Sequence, residues 1–318
     1  MRTVLRKILI AVFSLGIVLT ITGLALSDWN FNVIVDAFTN DEDYEYVEKN
    51  GDEEVKEIKI NINSGNIVFH IYDGTGYKVD FYESDYNKKI VNLENNVLTI
   101  TNQIKLRYRF FNISFTPSEY QKLSIYLPES FNGKVNIETS SGNIIISNFH
   151  FTDLNIEVSS GNVILKEVVV ENDTNIKNSS GNIELTDFST NNLTIKASSG
   201  KILLQDANIR TKVDIKSSSG NIIVNTSKLS SIDVRTSSGN VHIIDSESDN
   251  IDLQLSSGNV KVILKGNVSD YRIDASVSSG NIYYQGKRIE GGLYTPTGSK
   301  AIKIRISSGN IELDFNEE

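Results

Sequence analysis

From Lys134 to the C-terminus, apolar and polar residues alternate in short runs, and the runs are punctuated at nearly fixed intervals by Ser-Ser-Gly-Asn. Seven, five and three residues before Gly258 stand Ile251, Leu253 and Leu255; the same offsets from Gly309 give Ile302, Ile304 and Ile306. Gly65, an outlying copy, gives Ile58, Ile60 and Ile62. A period of two predicts a strand with one face inward. Two and four residues after the glycine the pattern resumes, as at Ile144 and Ile146, Val163 and Leu165, or Ile202 and Leu204, so a second strand leaves the corner. Asn148, Asp187, Asp206 and Asp245 then mark the next turn.

The corner glycines are Gly142, Gly161, Gly181, Gly200, Gly220, Gly239, Gly258, Gly280 and Gly309, separated by 19, 20, 19, 20, 19, 19, 22 and 29 residues. So regular a period is the mark of a solenoid, in which each coil buries its apolar face against its neighbours. A meander of hairpins also fits the strand–corner–strand string. Only stacking, however, requires the same residue at the same place in every coil. The predicted fold is therefore an all-β solenoid of about 19–20 residues per coil, with successive corners about 4.8 Å apart. Glycine supplies freedom at the bend, and stacked asparagine amides form a hydrogen-bonded ladder. Lys201 replaces asparagine in one corner and interrupts that ladder. The serine before each glycine falls on inward parity. Taken in chain order, the coils from Gly142 to Gly309 extend roughly 40 Å.

Between Gly65 and Gly142 the corner is missing although alternation persists, as in YKVDFYE and KLSIYLP. Residues 58–130 are read as irregular coils or an N-terminal β cap, and 131–318 as the regular solenoid. KRIEGGLYTPTGSK reads as a loop insertion before the last copy, and IELDFNEE closes the chain with charge.

Residues 1–27 have a different character. After Arg2, Arg6 and Lys7, the run Ile8–Leu26 is uncharged and about 28 Å long as a helix, enough to span a bilayer. Acidic residues follow, so the basic start lies in the cytoplasm and the remainder outside. A cleaved signal peptide ending near Ala25, Leu26 and Ser27 is the rival reading and gives a secreted protein. Residues 28–57 read as an acidic spacer.

A net charge of −9 argues against nucleic acid as a partner. The absence of cysteine excludes disulfides, thiolate metal sites, thiol catalysis and a lipoprotein anchor. His70, His150 and His242 stand singly, which predicts no metal site. No phosphate-binding glycine loop or GxSxG motif occurs, so neither cofactor nor catalysis is expected.

The string KLSIYLPESFNGKVNIETSSGNI, Lys122 to Ile144, followed by tandem SSGN copies and GSKAIKIRISSGNIEL, resembles the bacterial putative-adhesin family of β-strand-repeat domains of unknown function, including LiaG-like proteins. The resemblance covers about residue 50 to the end. It implies an envelope protein, in some relatives linked to envelope stress, with no established activity, ligand or catalytic residue.

Stacking exposes two further rows. Four residues before successive glycines stand Lys177, Lys196, Lys216 and Arg235, and six before stand Asp214, Asp233, Asp252 and Asp274, all on outward parity. Either the two rows form a solvated face laced with ion pairs, or the end near Lys177 and Lys196 is unpaired and binds an anionic envelope polymer or headgroup. Three residues after the glycine, Ile145, Ile164, Leu203 and Ile223 form an outward apolar row. That row packs beneath a loop or the N-terminal region, or meets another envelope protein. Lys105, Arg107 and Arg109 among Tyr108, Phe110 and Phe111 suit a membrane-proximal patch or an ordinary half-exposed strand. The expected protein is a membrane-anchored, extracytoplasmic binding or scaffold solenoid. Its alternatives are a secreted polysaccharide-active enzyme and a self-assembling β-helical scaffold.

Overall fold

The structure is a computed structural model that describes residues 2–26, 43–105 and 118–316, and in the first segment the side chains of residues 7, 9, 10 and 12–26. Helix α1 spans Arg2–Leu26. Among the described residues no helix is long and apolar enough to cross a membrane.

The rest of the described chain is β structure around one core. That core runs from Val55 to Leu313 and takes no described side chain from α1. In each coil the strand before the corner joins sheet B and the strand after it joins sheet A. Lys134–Ser141 pairs in parallel with Asp153–Ser160, and Ile144–Ser147 with Val163–Lys166. Short strands such as His150–Phe151 and Val169–Val170 add a third side. The expected inward positions are buried: Ile251, Leu253 and Leu255 all lie in the core. Their equivalents stack in register as Ile137–Ile156–Ile176–Ile195–Ile215–Val234–Leu253.

The corners stack almost in contact. The Gly161 N–H donates to Ser180 O at 2.9 Å. Gly161 has φ +145°, and a β carbon there would collide with the carbonyl of Gly142. Only glycine fits, on grounds of both conformation and space. The second corner is equally regular: Asn148, Asp187, Asp206 and Asp245 all take positive φ, and Glu167 and Thr226 occupy the same place. The serine before the glycine departs from expectation. Ser160, Ser180 and Ser257 are exposed, because the bend carries this position off the inward face.

Two features of the order of stacking differ from chain order. Strands β2 (Glu57–Ser64) and β3 (Asn66–Ile71) follow β1 (Glu45–Gly51), and the Gly65 coil they form lies directly against the Gly142 coil, with Ile60 beside Ile137. The intervening chain carries no further SSGN corner. It folds as β4 (Tyr77–Glu83), β5 (Asn87–Glu94), β6 (Val97–Ile104) and β7 (Lys122–Leu127). β5 pairs antiparallel with β6, and β4 pairs antiparallel with β1 and β7. β6 and β7 then pair in parallel with β2 and β3, closing the N-terminal end.

At the other end the last coil is out of sequence. Lys300–Ser308 lies between the strand ending at Ser257 and Tyr271–Ser279, and Ile311–Asn316 lies between Val260–Lys265 and Ile282–Tyr284. The Gly309 corner therefore sits between those of Gly258 and Gly280. The insertion read as a loop supplies the terminal strands Lys287–Ile289 and Leu293–Thr295, one on each sheet.

Candidate functional site

Parallel pairing, in register along the residues that lead into each corner, turns a repeated position into an axial row. Four residues before the corners, sheet B presents Glu138, Glu157, Lys177, Lys196, Lys216, Arg235, Gln254, Arg305 and Ser276 in that order. Beside it run Thr194, Asp214, Asp233, Asp252, Lys303 and Asp274. Lys177, Lys196, Lys216 and Arg235 are thus adjacent, about 4.8 Å apart along the stack.

Their partners are unequal. Lys177 donates to Glu157 Oε2 at 2.9 Å, so it is not an unpaired end: the preceding coil supplies a carboxylate in register. Lys216 lies 3.8 Å from Asp214. Arg235 donates to Asp233 at 3.0 Å and lies 3.8 Å from Asp252. Lys196 has no carboxylate partner among the described residues, since its flanking position holds Thr194 where later coils place aspartate. The carboxylates also sit deeper than the cations: Asp214 is 27% exposed and Lys216 55%. One oxygen each of Asp214 and Asp233 is buried without a hydrogen-bond partner. An approaching anion meets the ammonium groups first. A shallow depression beside them is lined by Glu157, Lys177, Lys196 and the hydroxyls of Ser159, Ser179 and Ser198.

On sheet A the apolar row is Val68–Ile145–Ile164–Glu184–Leu203–Ile223–His242. Ile145, Ile164, Leu203 and Ile223 are half-buried on the outer face. The asparagine ladder lies next to it. Asn143 N–H donates to Asn66 Oδ1 at 2.9 Å, Asn162 to Asn143 at 3.0 Å and Asn182 to Asn162 at 2.9 Å. The rungs are therefore mainly side-chain oxygen to backbone N–H.

The histidines stay apart. His70 stacks on Tyr126 at 4.7 Å, and burial, reinforced by Lys122, holds its pKa below the usual value. His150 lies 3.6 Å from Glu171. Among the described residues no three His, Asp or Glu side chains gather as a metal site requires. Of the basic-aromatic stretch only Lys105 is described; Arg107, Tyr108, Arg109, Phe110 and Phe111 lie outside the described residues.

An aromatic cluster at the N-terminal end has no counterpart in the sequence reading. Tyr44 stacks on Tyr120 at 4.5 Å, Tyr46 meets Tyr82 at 5.6 Å, and Tyr82 meets Tyr120 at 5.0 Å. Three distant segments contribute, so spacing alone carries no signal for it.

A solenoid of SSGN corners with this register is matched by a family profile, Toastrack DUF4097, over residues 55–314. The chain belongs to the Toastrack DUF4097 family. The Toastrack segment takes in the corners, the N-terminal hairpins and the out-of-order last coil, and leaves α1 outside. Among solved structures, a putative adhesin from Bacteroides fragilis is similar at 14% identity and TM-score 0.44, over 85% of this chain and 97% of that one. A putative lipid binding protein from Parabacteroides distasonis is similar at 17% identity and TM-score 0.47, over 87% and 98%. A putative adhesin from the same organism is similar at 16% and 0.47, over 86% and 98%. No curated protein matches the chain.

Proposed function

We propose that this Toastrack protein is a membrane-anchored, extracytoplasmic binding module without catalytic activity, and that its solenoid holds an extended anionic polymer of the cell envelope along the cation row. The observation that carries the reading is the adjacency of Lys177, Lys196, Lys216 and Arg235, with Lys196 free of a carboxylate among the described residues. A repeating ligand charge can meet a repeating protein charge, and serine hydroxyls beside the row offer hydrogen bonds. Anchoring is supported by the uncharged run Ile8–Leu26 behind Arg2, Arg6 and Lys7. Within α1, Thr20 and Thr22 return their hydroxyls to Gly16 O and Val18 O at 2.9 and 2.8 Å, leaving little polarity unsatisfied in lipid.

Self-assembly through the coil ends is the weaker reading. β5, the outermost strand of sheet B, turns Lys89 inward, and both sheets end in short antiparallel strands at the C-terminal end. Such devices block edge-to-edge pairing.

The test is retention on isolated anionic envelope polymer across a salt series, comparing the protein with Lys196→Glu. Retention should fall as salt rises, and the variant should lose most of it. Retention that is indifferent to salt and to Lys196→Glu removes the proposal.

A further inference from the structure

Both sheets end in strand edges, and those edges are not equally guarded. At the N-terminal end sheet B runs outward as β2–β6–β5, and sheet A as β3–β7–β4–β1. Sheet A thus extends one strand further from the Gly65 coil, and β1 stands about 4.8 Å beyond β5. Lys89 guards β5, and the two C-terminal edges are strands of only three residues. β1 has neither device. All seven of its residues pair with β4 without a shift, it contains no proline, and among the described residues no strand covers its other edge.

The side chains of β1 are complementary to themselves about Val47. Glu45 lies two residues before Val47 and Lys49 two residues after it, so all three share one face. Glu45 and Lys49 are exposed, and neither has an ion-pair partner among the described residues. Val47 is half-buried and packs against the core at its margin. On the other face Tyr46, 51% exposed, precedes Glu48, which the Lys78 ammonium meets at 2.8 Å.

A two-fold axis perpendicular to sheet A sets β1 of a second copy antiparallel to β1 and keeps each face on its own side, so only residues of the same face are opposed. With the axis at Val47, the two valines meet, Glu45 of each copy is opposite Lys49 of the other, and Tyr46 is opposite Glu48. Two ion pairs then form from charges that are unpaired within one chain. Neighbouring registers lose the match. An axis at Glu48 sets two carboxylates face to face, one at Lys49 sets two ammonium groups face to face, and one at Tyr46 leaves Glu45 opposite Val47.

We infer that the protein forms a two-fold dimer by pairing β1 with β1 of a second copy, in the register that opposes Glu45 to Lys49. Sheet A then runs unbroken through both molecules, with the two Gly280 ends pointing apart. Because the other three edges are guarded, assembly closes at two copies and does not grow into a filament. The inference stands apart from polymer retention, which is measured on Lys196.

The chain contains no cysteine, so single introduced thiols report the register. Opposed residues of antiparallel strands have Cα atoms about 4.5–5.5 Å apart, within the span of a disulfide. Full-length Val47→Cys, oxidised in mild detergent, should give covalent dimer in several-fold higher yield than Glu45→Cys or Lys49→Cys alone, whose thiols lie four residues out of register, roughly 14 Å apart. Mixing the Glu45→Cys and Lys49→Cys proteins should restore the yield, and this arm tests the same register if Val47→Cys fails to fold. Without thiols, Glu45→Lys should weaken the dimer several-fold in sedimentation, and Glu45→Lys combined with Lys49→Glu should recover it. Equal yields from the three single thiols, as association through α1 alone would give, overturn the inference. A chain that sediments as a monomer at every concentration overturns it as well.

Discussion

Asp252 stands in register with Lys303, and Asp274 lies on the far side of that lysine. Chain order would set the two aspartates side by side. Insertion of the last coil instead interleaves Lys303, 3.9 Å from Asp252, and Arg305, which pairs with Asp274. The same insertion buries Ile302, Ile304, Ile306, Ile311 and Leu313, each contributing about 1.5–3 kcal/mol.

The last coil should therefore act as a clasp for the C-terminal end. Deleting residues 300–318 strips the Gly280 coil of its parallel neighbours. Residues 271–299 should then become protease-sensitive, and a synthetic peptide of residues 300–316 should restore protection. Unchanged limited proteolysis of the truncated chain would refute the clasp.

The asparagine ladder has a missing rung. Lys201 donates its N–H to Asn182 Oδ1 at 2.9 Å but has no amide oxygen for Asn221, whereas Asn221 accepts from Asn240 at 3.1 Å. Lys201→Asn should supply that acceptor and raise stability by about 0.5–1.5 kcal/mol, the usual net value of one hydrogen bond. Denaturant unfolding reads it directly, and a neutral or destabilising result would mean that the ladder is decorative.

Two glycines with positive φ should behave differently. At Gly200, φ +115°, a β carbon would strike the carbonyl of Gly181; at Gly286, φ +71°, it would meet open space. Gly286→Ala should cost about 1–2 kcal/mol from conformation alone. Gly200→Ala should cost more than 3 kcal/mol, or prevent folding, because neighbouring corners must separate. Similar losses for the two variants would contradict the stacking argument.

Lys89 faces inward on β5, with its ammonium donating to Tyr82 O at 2.8 Å and lying 5.1 Å from the centre of the Phe81 ring. Burial, opposed in part by Glu83, lowers its pKa to about 8. Between that value and the ordinary 10.5 the unfolded chain holds a proton that the folded chain lacks, so stability rises with pH across the window and is lost as pH falls towards 8. The swing should be about 3 kcal/mol. Lys89→Met should flatten this rise relative to the parent protein. A parallel pH profile in the variant would show that Lys89 is not the group responsible.

The repeat, the inward triads such as Ile251, Leu253 and Leu255, and the corner glycines were legible in the sequence because each depends on local chemistry: alternation sets the buried face, and only glycine fits the corner. Adjacency of Lys177, Lys196 and Lys216 was legible for the same reason, since equal offsets from equal corners imply one row. The pairing of Lys177 with Glu157 was not inferred, although the same offset places Glu157 in that row. What the sequence alone could not decide was the order of coils. Strands of the Gly258, Gly280 and Gly309 coils are nearly interchangeable as neighbours, and pairing energy depends on contacts between residues far apart in the chain. Tertiary structure made that choice, placing the Gly65 coil against Gly142 and Lys303 between two aspartates. It also brought Tyr44, Tyr46, Tyr82 and Tyr120 together from three distant segments, because antiparallel pairing there replaces the repeat whose register had made the other rows readable.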